Sequence, residues 1–324
     1  EIGVRLVGSE MCIRDRPWQG VRKCDKFAAA SLQGDHGKGS FYWKEFYQAG
    51  DPERSEDCLY LNIWTPAAGK DAKLPVVFWI HGGGYMAGYG HELEFDGEAY
   101  AKKGVILVTI NYRLGMCGFL AHPLLTAENK GKGSGNYGLF DQLAALKWVK
   151  RNIAVFGGNP DNITVMGQSA GAGSVQVLVS SPLSQGLIQR AIIQSGGGLG
   201  GIITAKALSE AEQMGMAMWN EVGVTSVDAM RAYPADKFQE VLIKYMMKQK
   251  NFGGLPYGPC IDGELLEAPM NEIAEAGKEL DIPYLINSKG EQTEIANRAT
   301  EKMYFDYPVS FPPHSIIRKP LSKK

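Results

Sequence analysis

The chain is expected to fold as an α/β protein, with a mostly parallel central sheet flanked by helices. Two observations carry this. Apolar runs of strand length, "LPVVFWI" (74–80) and "GVILVTINY" (104–112), stop abruptly in glycine-rich or polar loops, and segments with helical spacing lie between and after them. Strands buried on both faces read as such runs, and their alternation with helices implies parallel pairing through crossover connections.

The elements follow in order. "EDCLYLNIWTP" (56–66) alternates around Leu59, Leu61 and Ile63 and reads as a half-buried strand. "LPVVFWI" runs into Gly82-Gly83-Gly84. "ELEFDGEAYAKKG" has room for a short helix that Gly104 stops. In "GLFDQLAALKWVKRNIAVFGG" (138–158), Leu139, Leu143, Leu146, Val149, Ile153 and Phe156 recur at helical spacing. Lys147, Lys150 and Arg151 complement the dipole of that helix, and Gly157 closes it. "NITVMG" (162–167) is a strand, "AGAGSVQVLVSS" a helix, "QRAIIQSG" (189–196) a further strand. Residues 205–250 turn helical and rich in Met, a candidate cap whose methionines would fill its own core. "DIPYLIN" (281–287) returns as a strand.

Composition excludes several function classes. With 44% hydrophobic and 21% charged residues the chain is typical of a globular protein. A net charge of −1 without a basic patch gives no footprint for nucleic acid. No apolar stretch approaches the roughly 18 residues of a membrane span. Five cysteines, none in C-x-x-C spacing, point to neither a metal site nor a disulfide framework. That usage leans towards a reducing, cytoplasmic compartment. Residues 1–16, "EIGVRLVGSEMCIRDR", resemble translated sequencing-adaptor read-through and are expected to be a non-native tail. Residues 296–324 read as an irregular tail.

The chemistry centres on Gly167-Gln168-Ser169-Ala170-Gly171. A serine between a strand and a helix can be an ordinary N-cap. It can also be a nucleophile on a strained elbow, with its hydroxyl exposed and glycines two before and two after to avoid clashes. Acyl transfer at such a serine needs donors for the developing oxyanion. The N–H of Ala170 and N–H groups of the loop "IHGGGYMAG" (80–88) are in the right context.

Several long segments together resemble the type-B carboxylesterase/lipase family of α/β-hydrolases, its para-nitrobenzyl-esterase-like members included. They are "FGGNPDNITVMGQSAG", "EDCLYLNIWTP", "WIHGGGYMAGYG", "NYRLGMCGFL", "GNYGLFDQLAALKWVKRNI" and "PCIDGELL". The likeness covers roughly 17–295 and implies an α/β-hydrolase fold, C-terminally truncated. It implies a serine carboxylesterase that hydrolyses small to medium esters without cofactor or metal. Ser169 is then the nucleophile, and Gly83, Gly84 and Ala170 are the oxyanion donors. The acid falls on Glu291, with Glu294 as rival, because the family's usual position holds Gln292. Asn111 and Arg113 would fix loops, Asp141 would anchor its helix, and Ser195 would brace the acid. Where the family often has a cysteine to pair with Cys58, this chain has Ser31.

The base is the weak point. His36, His81, His91 and His122 precede the serine, and the fold's order is nucleophile, acid, histidine. Only His314 follows the acid. The chain is therefore expected to be a fragment that stops short of its histidine, and a slow esterase. Two other classes stay open. One is a non-catalytic binding or adhesion relative, which the intact elbow argues against; the other is a lipase using 205–250 as a lid.

Overall fold

The computed structural model describes residues 24–34, 37, 39–46, 52–197, 203–248 and 255–280, and the backbone of 285–286 and 292–293. The chain divides into two units, 1–282 and 283–324.

The first unit is built on a five-stranded sheet. Its strands are β1 (Leu61–Trp64), β2 (Leu74–Ile80), β3 (Ile106–Ile110), β4 (Gly158–Gln168) and β5 (Arg190–Gln194). They lie in the order β1-β3-β2-β4-β5. The pairs β2–β3, β2–β4 and β4–β5 are parallel, and only β1 runs antiparallel to its neighbour. The apolar runs form the centre: all five residues of β3 are buried, as are Val76, Phe78 and Ile80 of β2. At the edge, β1 departs from the expected alternation. Leu59 is exposed and Leu61–Trp64 are all half-buried. An edge strand has a partner on one side only, so neither face is sealed.

Helices connect the strands. Leu93–Phe95 and Glu98–Ala101 fill the β2–β3 connection, Tyr137–Asn152 belongs to the β3–β4 connection, and Ala170–Ser180 joins β4 to β5. The last of these is buried at every residue, which explains its Ala, Gly, Ser and Val composition. The 205–250 segment is helical over Leu208–Glu221, Val227–Arg231 and Phe238–Lys248. Its Met218 and Met230 are buried in the same cluster as the sheet residues Phe78, Val108 and Val165, rather than in a core of their own. Met216 and Met247 are exposed.

In the second unit, Leu285–Ile286 (β6) pairs antiparallel with Gln292–Thr293 (β7). The expected 281–287 strand is thus seen over two residues, in a small ladder.

Parallel register sets the site. Trp79 lies opposite Met166 and Ile80 opposite Gly167. The loop after β2 and the turn after β4 therefore leave the sheet at the same edge, side by side.

Candidate active site

At the end of β4 the backbone makes a turn that few residues tolerate. Ser169 has φ 54° and ψ −121°. Positive φ costs a residue with a Cβ on the order of 1–3 kcal/mol, so the surroundings must hold it. They do so on both sides. The Ser169 N–H donates to the Gln194 carbonyl of β5 at 2.8 Å, and its carbonyl accepts the Gly173 N–H at 3.1 Å. The glycines are required by close approach: a Cβ on Gly171 would lie 2.1 Å from the Ile80 carbonyl oxygen, and one on Gly196 2.1 Å from that of Ser169. Although Ser169 stands at the N-cap position, its side chain makes no capping hydrogen bond. The capping reading of this serine fails on that point.

The glycine loop packs directly against this turn. A Cβ on Gly82 would stand 3.2 Å from the Ser169 Cβ. Gly83 and Gly84 have φ of 101° and 64°. The Gly83 carbonyl accepts the N–H groups of Met86 and Ala87, each at 3.1 Å, closing a tight turn. Among the described residues no backbone carbonyl accepts the N–H of Gly83, Gly84 or Ala170. Such N–H groups are free to donate to a ligand, which is what a developing oxyanion asks of its surroundings.

Three histidines are described, and each has another occupation. His81 is buried, its Nδ1 donates to the Gly82 carbonyl at 2.8 Å, and its ring stacks on Tyr112 at 4.4 Å. Burial holds its pKa down at about 4. His91 stacks on Phe27 at 4.7 Å, and burial lowers it also to about 4. His122 stacks on Trp219 at 4.1 Å, and its Nδ1 accepts the Leu124 N–H at 3.1 Å to cap a helix. No hydrogen bond joins any of them to Ser169. His314, Glu291 and Glu294 lie outside the described residues, as does His36.

The loops under the site are pinned by buried polar groups. Arg113 donates to both Asp141 oxygens at 2.7 Å, and its backbone N–H adds a third bond at 3.1 Å. Asn111 accepts the Gly90 N–H at 2.8 Å and donates to the Ala29 carbonyl at 3.0 Å. Two contributors were not legible in the sequence. Gln33 grips Gly88, accepting its N–H at 2.9 Å and donating to its carbonyl at 3.1 Å. Ser31 accepts the Leu114 N–H at 3.1 Å. The position without the family's cysteine is thus a hydrogen-bonded anchor. Ser195, at φ 55°, is exposed on the turn beyond β5.

Next to the glycine loop lies a buried carboxyl. Glu92 is 3% exposed, and its Oε1 accepts the Tyr89 N–H at 3.1 Å. Burial raises its pKa from 4.5 to about 8, against the pull of that hydrogen bond. Between these two values the unfolded chain releases a proton that the folded chain keeps, so stability falls as pH rises through the window. Glu92→Gln, which keeps the acceptor oxygen, is expected to gain melting temperature over the wild type as pH goes from 4.5 to 8.5. Glu94, raised to about 7 by burial, acts in the same direction in both proteins. A difference in melting temperature that stays constant with pH would remove Glu92 from this role.

No group of His, Cys, Asp and Glu able to hold a metal occurs among the described residues. No helix among them is long and apolar enough to cross a membrane.

A model of the carboxylesterase family matches residues 11–305. The chain is 39% identical over 294 residues to the fumonisin B1 esterase of Sphingopyxis macrogoltabida, covering 90% of this chain and 52% of that protein. It is 36% identical over 278 residues to the para-nitrobenzyl esterase of Bacillus subtilis strain 168, covering 84% and 55%. Among solved structures it resembles a thermophilic PNB esterase, with TM-score 0.72, 32% identity and coverage of 85% and 54%. It also resembles a carboxylesterase of Geobacillus stearothermophilus, with TM-score 0.68, 37% identity and coverage of 86% and 54%. The chain spans about half the length of these relatives. Its sheet and flanking helices are an α/β-hydrolase fold, and the chain belongs to the carboxylesterase family.

Proposed function

We propose that this chain carries the nucleophile half of a serine-dependent carboxylic ester hydrolase. The observation that carries the proposal is the uncapped Ser169 hydroxyl on a strained turn, packed against a loop with unpaired N–H donors. Ser169 Oγ attacks the ester carbonyl carbon while its proton passes to a general base. The carbonyl oxygen takes the negative charge, which the N–H groups of Gly83, Gly84 and Ala170 stabilise. Collapse breaks the bond to the alkoxy oxygen, which leaves as the alcohol with the proton, and an acyl-Ser169 ester remains. Water then repeats the sequence, releasing the carboxylic acid and restoring the serine. The substrate class is a small to medium carboxylic ester, and neither step calls for a cofactor.

The base in this scheme is a histidine, with His314 the one candidate that follows Glu291 in the chain, and Glu291 or Glu294 orients it. Gln168, beside the serine, adds no negative charge next to the imidazolium.

Labelling with a fluorophosphonate, followed by mass mapping, tests the proposal. The adduct is expected on the peptide that contains Ser169 and on no other serine. A folded chain that takes up no label, or takes it elsewhere, would overturn Ser169 as the nucleophile.

A further inference from the structure

We propose that Gln33 is a positioning residue for ester hydrolysis at Ser169: its amide fixes Gly88 and so keeps the N–H groups of Gly83 and Gly84 in place beside the serine. This rests on the reading of Ser169 as nucleophile and of the glycine loop as its oxyanion site, because only then does the placement of that loop bear on a reaction.

The grip uses both ends of the amide. Gln33 Oε1 accepts the Gly88 N–H at 2.9 Å, and Nε2 donates to the carbonyls of Gly88 and Ser31, each at 3.1 Å. A primary amide has two N–H donors at one end and an acceptor at the other, and this site engages all of them. The pattern also fixes which way the amide faces. Turned over, it would set its oxygen against two carbonyls and its nitrogen against an N–H. Glutamate would lack the donors, methionine would lack donor and acceptor alike, and asparagine would be a methylene too short.

The near end of the grip is itself fastened. The Ala29 carbonyl accepts Asn111 Nδ2 at 3.0 Å, the Ala30 N–H donates to the Glu53 carbonyl at 2.8 Å, and Ser31 Oγ accepts the Leu114 N–H at 3.1 Å. The chain is thus tied to the rest of the fold at three successive residues before it reaches Gln33.

The far end reaches the donors. Gly88, at φ 108°, lies against the start of the loop: a Cβ there would stand 2.4 Å from His81 Nδ1 and 2.9 Å from the Gly82 carbonyl oxygen. A Cβ on Gly83 would stand 2.0 Å from the Ala87 carbonyl oxygen. Residues 82–88 therefore close on themselves, and Gly88 is the closing residue. Midway, the Tyr85 carbonyl accepts the Gly115 N–H at 2.7 Å. Gly82 follows the end of β2 by two residues, so the hold at Gly88 leaves Gly83 and Gly84 between fixed points. Oxyanion donors act over about 2.7–3.1 Å, and a misplacement of about 1 Å can cost about 10²-fold in rate.

Gln33→Met and Gln33→Glu, both close to glutamine in size, test the role in the full chain. Gln33 is only half-buried, and melting temperatures check that the variants fold. The first readout is fluorophosphonate labelling of Ser169, resolved into a saturation constant and a maximal rate of bond formation. The maximal rate is expected to fall about tenfold or more, with the saturation constant within about twofold of wild type. The second is amide hydrogen exchange in the loop peptide, followed by mass spectrometry. Exchange there is expected to rise about fivefold or more, while that of helix Tyr137–Asn152 stays as in the wild type. A purely structural role would lower the melting temperature and the fraction labelled, and leave the rate per folded molecule alone. A folded variant whose maximal rate stays within about twofold of wild type overturns the proposal, whatever its exchange, and leaves Ser169 standing as nucleophile. A wild type that takes no label sinks the nucleophile instead, and exchange then decides on Gln33: faster exchange sustains its hold on the loop, and unchanged exchange ends it.

Discussion

Hydrolysis of a short p-nitrophenyl ester by this chain is expected to be slow, and Ser169→Ala is expected to remove what there is of acyl-enzyme turnover. Three of the five histidines are committed to stacking and loop hydrogen bonds, and burial keeps His81 and His91 neutral down to about pH 4. None of the described histidines is hydrogen-bonded to Ser169, and a serine hydroxyl without a base keeps its proton and is a weak nucleophile. A site reduced to oxyanion donors and binding gives only about 10³–10⁴ over the uncatalysed rate, several orders below a complete triad. The wild type, Ser169→Ala and His314→Ala are to be compared under one set of conditions. Fast wild-type turnover that both substitutions abolish would make His314 the base and correct the expected low rate. Fast turnover lost only with Ser169 would place the base elsewhere in the chain.

The second large effect is on folding. Asp141→Ala is expected to cost about 3–5 kcal/mol, because it strands the Arg113 guanidinium in the interior without its partner. Burial works against that charge, and the Asp141 carboxylate outweighs it, so the guanidinium stays more basic than usual. The side chains are 8% and 2% exposed, so water cannot take over. The damage should reach the site: Tyr112, next to Arg113, donates its hydroxyl to the His81 carbonyl, and Leu114 is tied to Ser31. Chemical denaturation measures the loss. A cost under about 1 kcal/mol would show that the pair is not isolated from solvent. The double replacement Arg113→Met with Asp141→Leu should recover much of the stability, since removing both charges leaves neither stranded.

What could be read from the sequence divides by range. The runs 74–80 and 104–112 became β2 and β3 because a strand buried on both faces leaves no polar position to confuse the pattern. The serine turn was legible because its glycines flank the serine at a fixed short spacing between a strand and a helix, even though the clash at Gly171 is with the distant Ile80. Gly196 and Gln33 were not. One braces Ser169 from the next strand, and the other grips Gly88 from 55 positions away. No local pattern encodes such a contact. The methionines of 205–250 show the same limit. Their helical spacing was visible, but which surface Met218 and Met230 would face was not, and they joined the main core. The alternation in 56–66 gave the strand and not its burial, because an edge position is a property of the whole sheet.

The backbone at Ser169 has a consequence for protein engineering. At φ 54° and ψ −121° glycine would rest more easily than serine, since it has no Cβ to strain. Heat resistance and a usable hydroxyl therefore pull position 169 in opposite directions. A library screened for thermal survival alone would be drawn towards glycine there. Variants rising in such a screen would need a chemical readout beside it, or the campaign would select sturdier proteins that have lost the Ser169 hydroxyl.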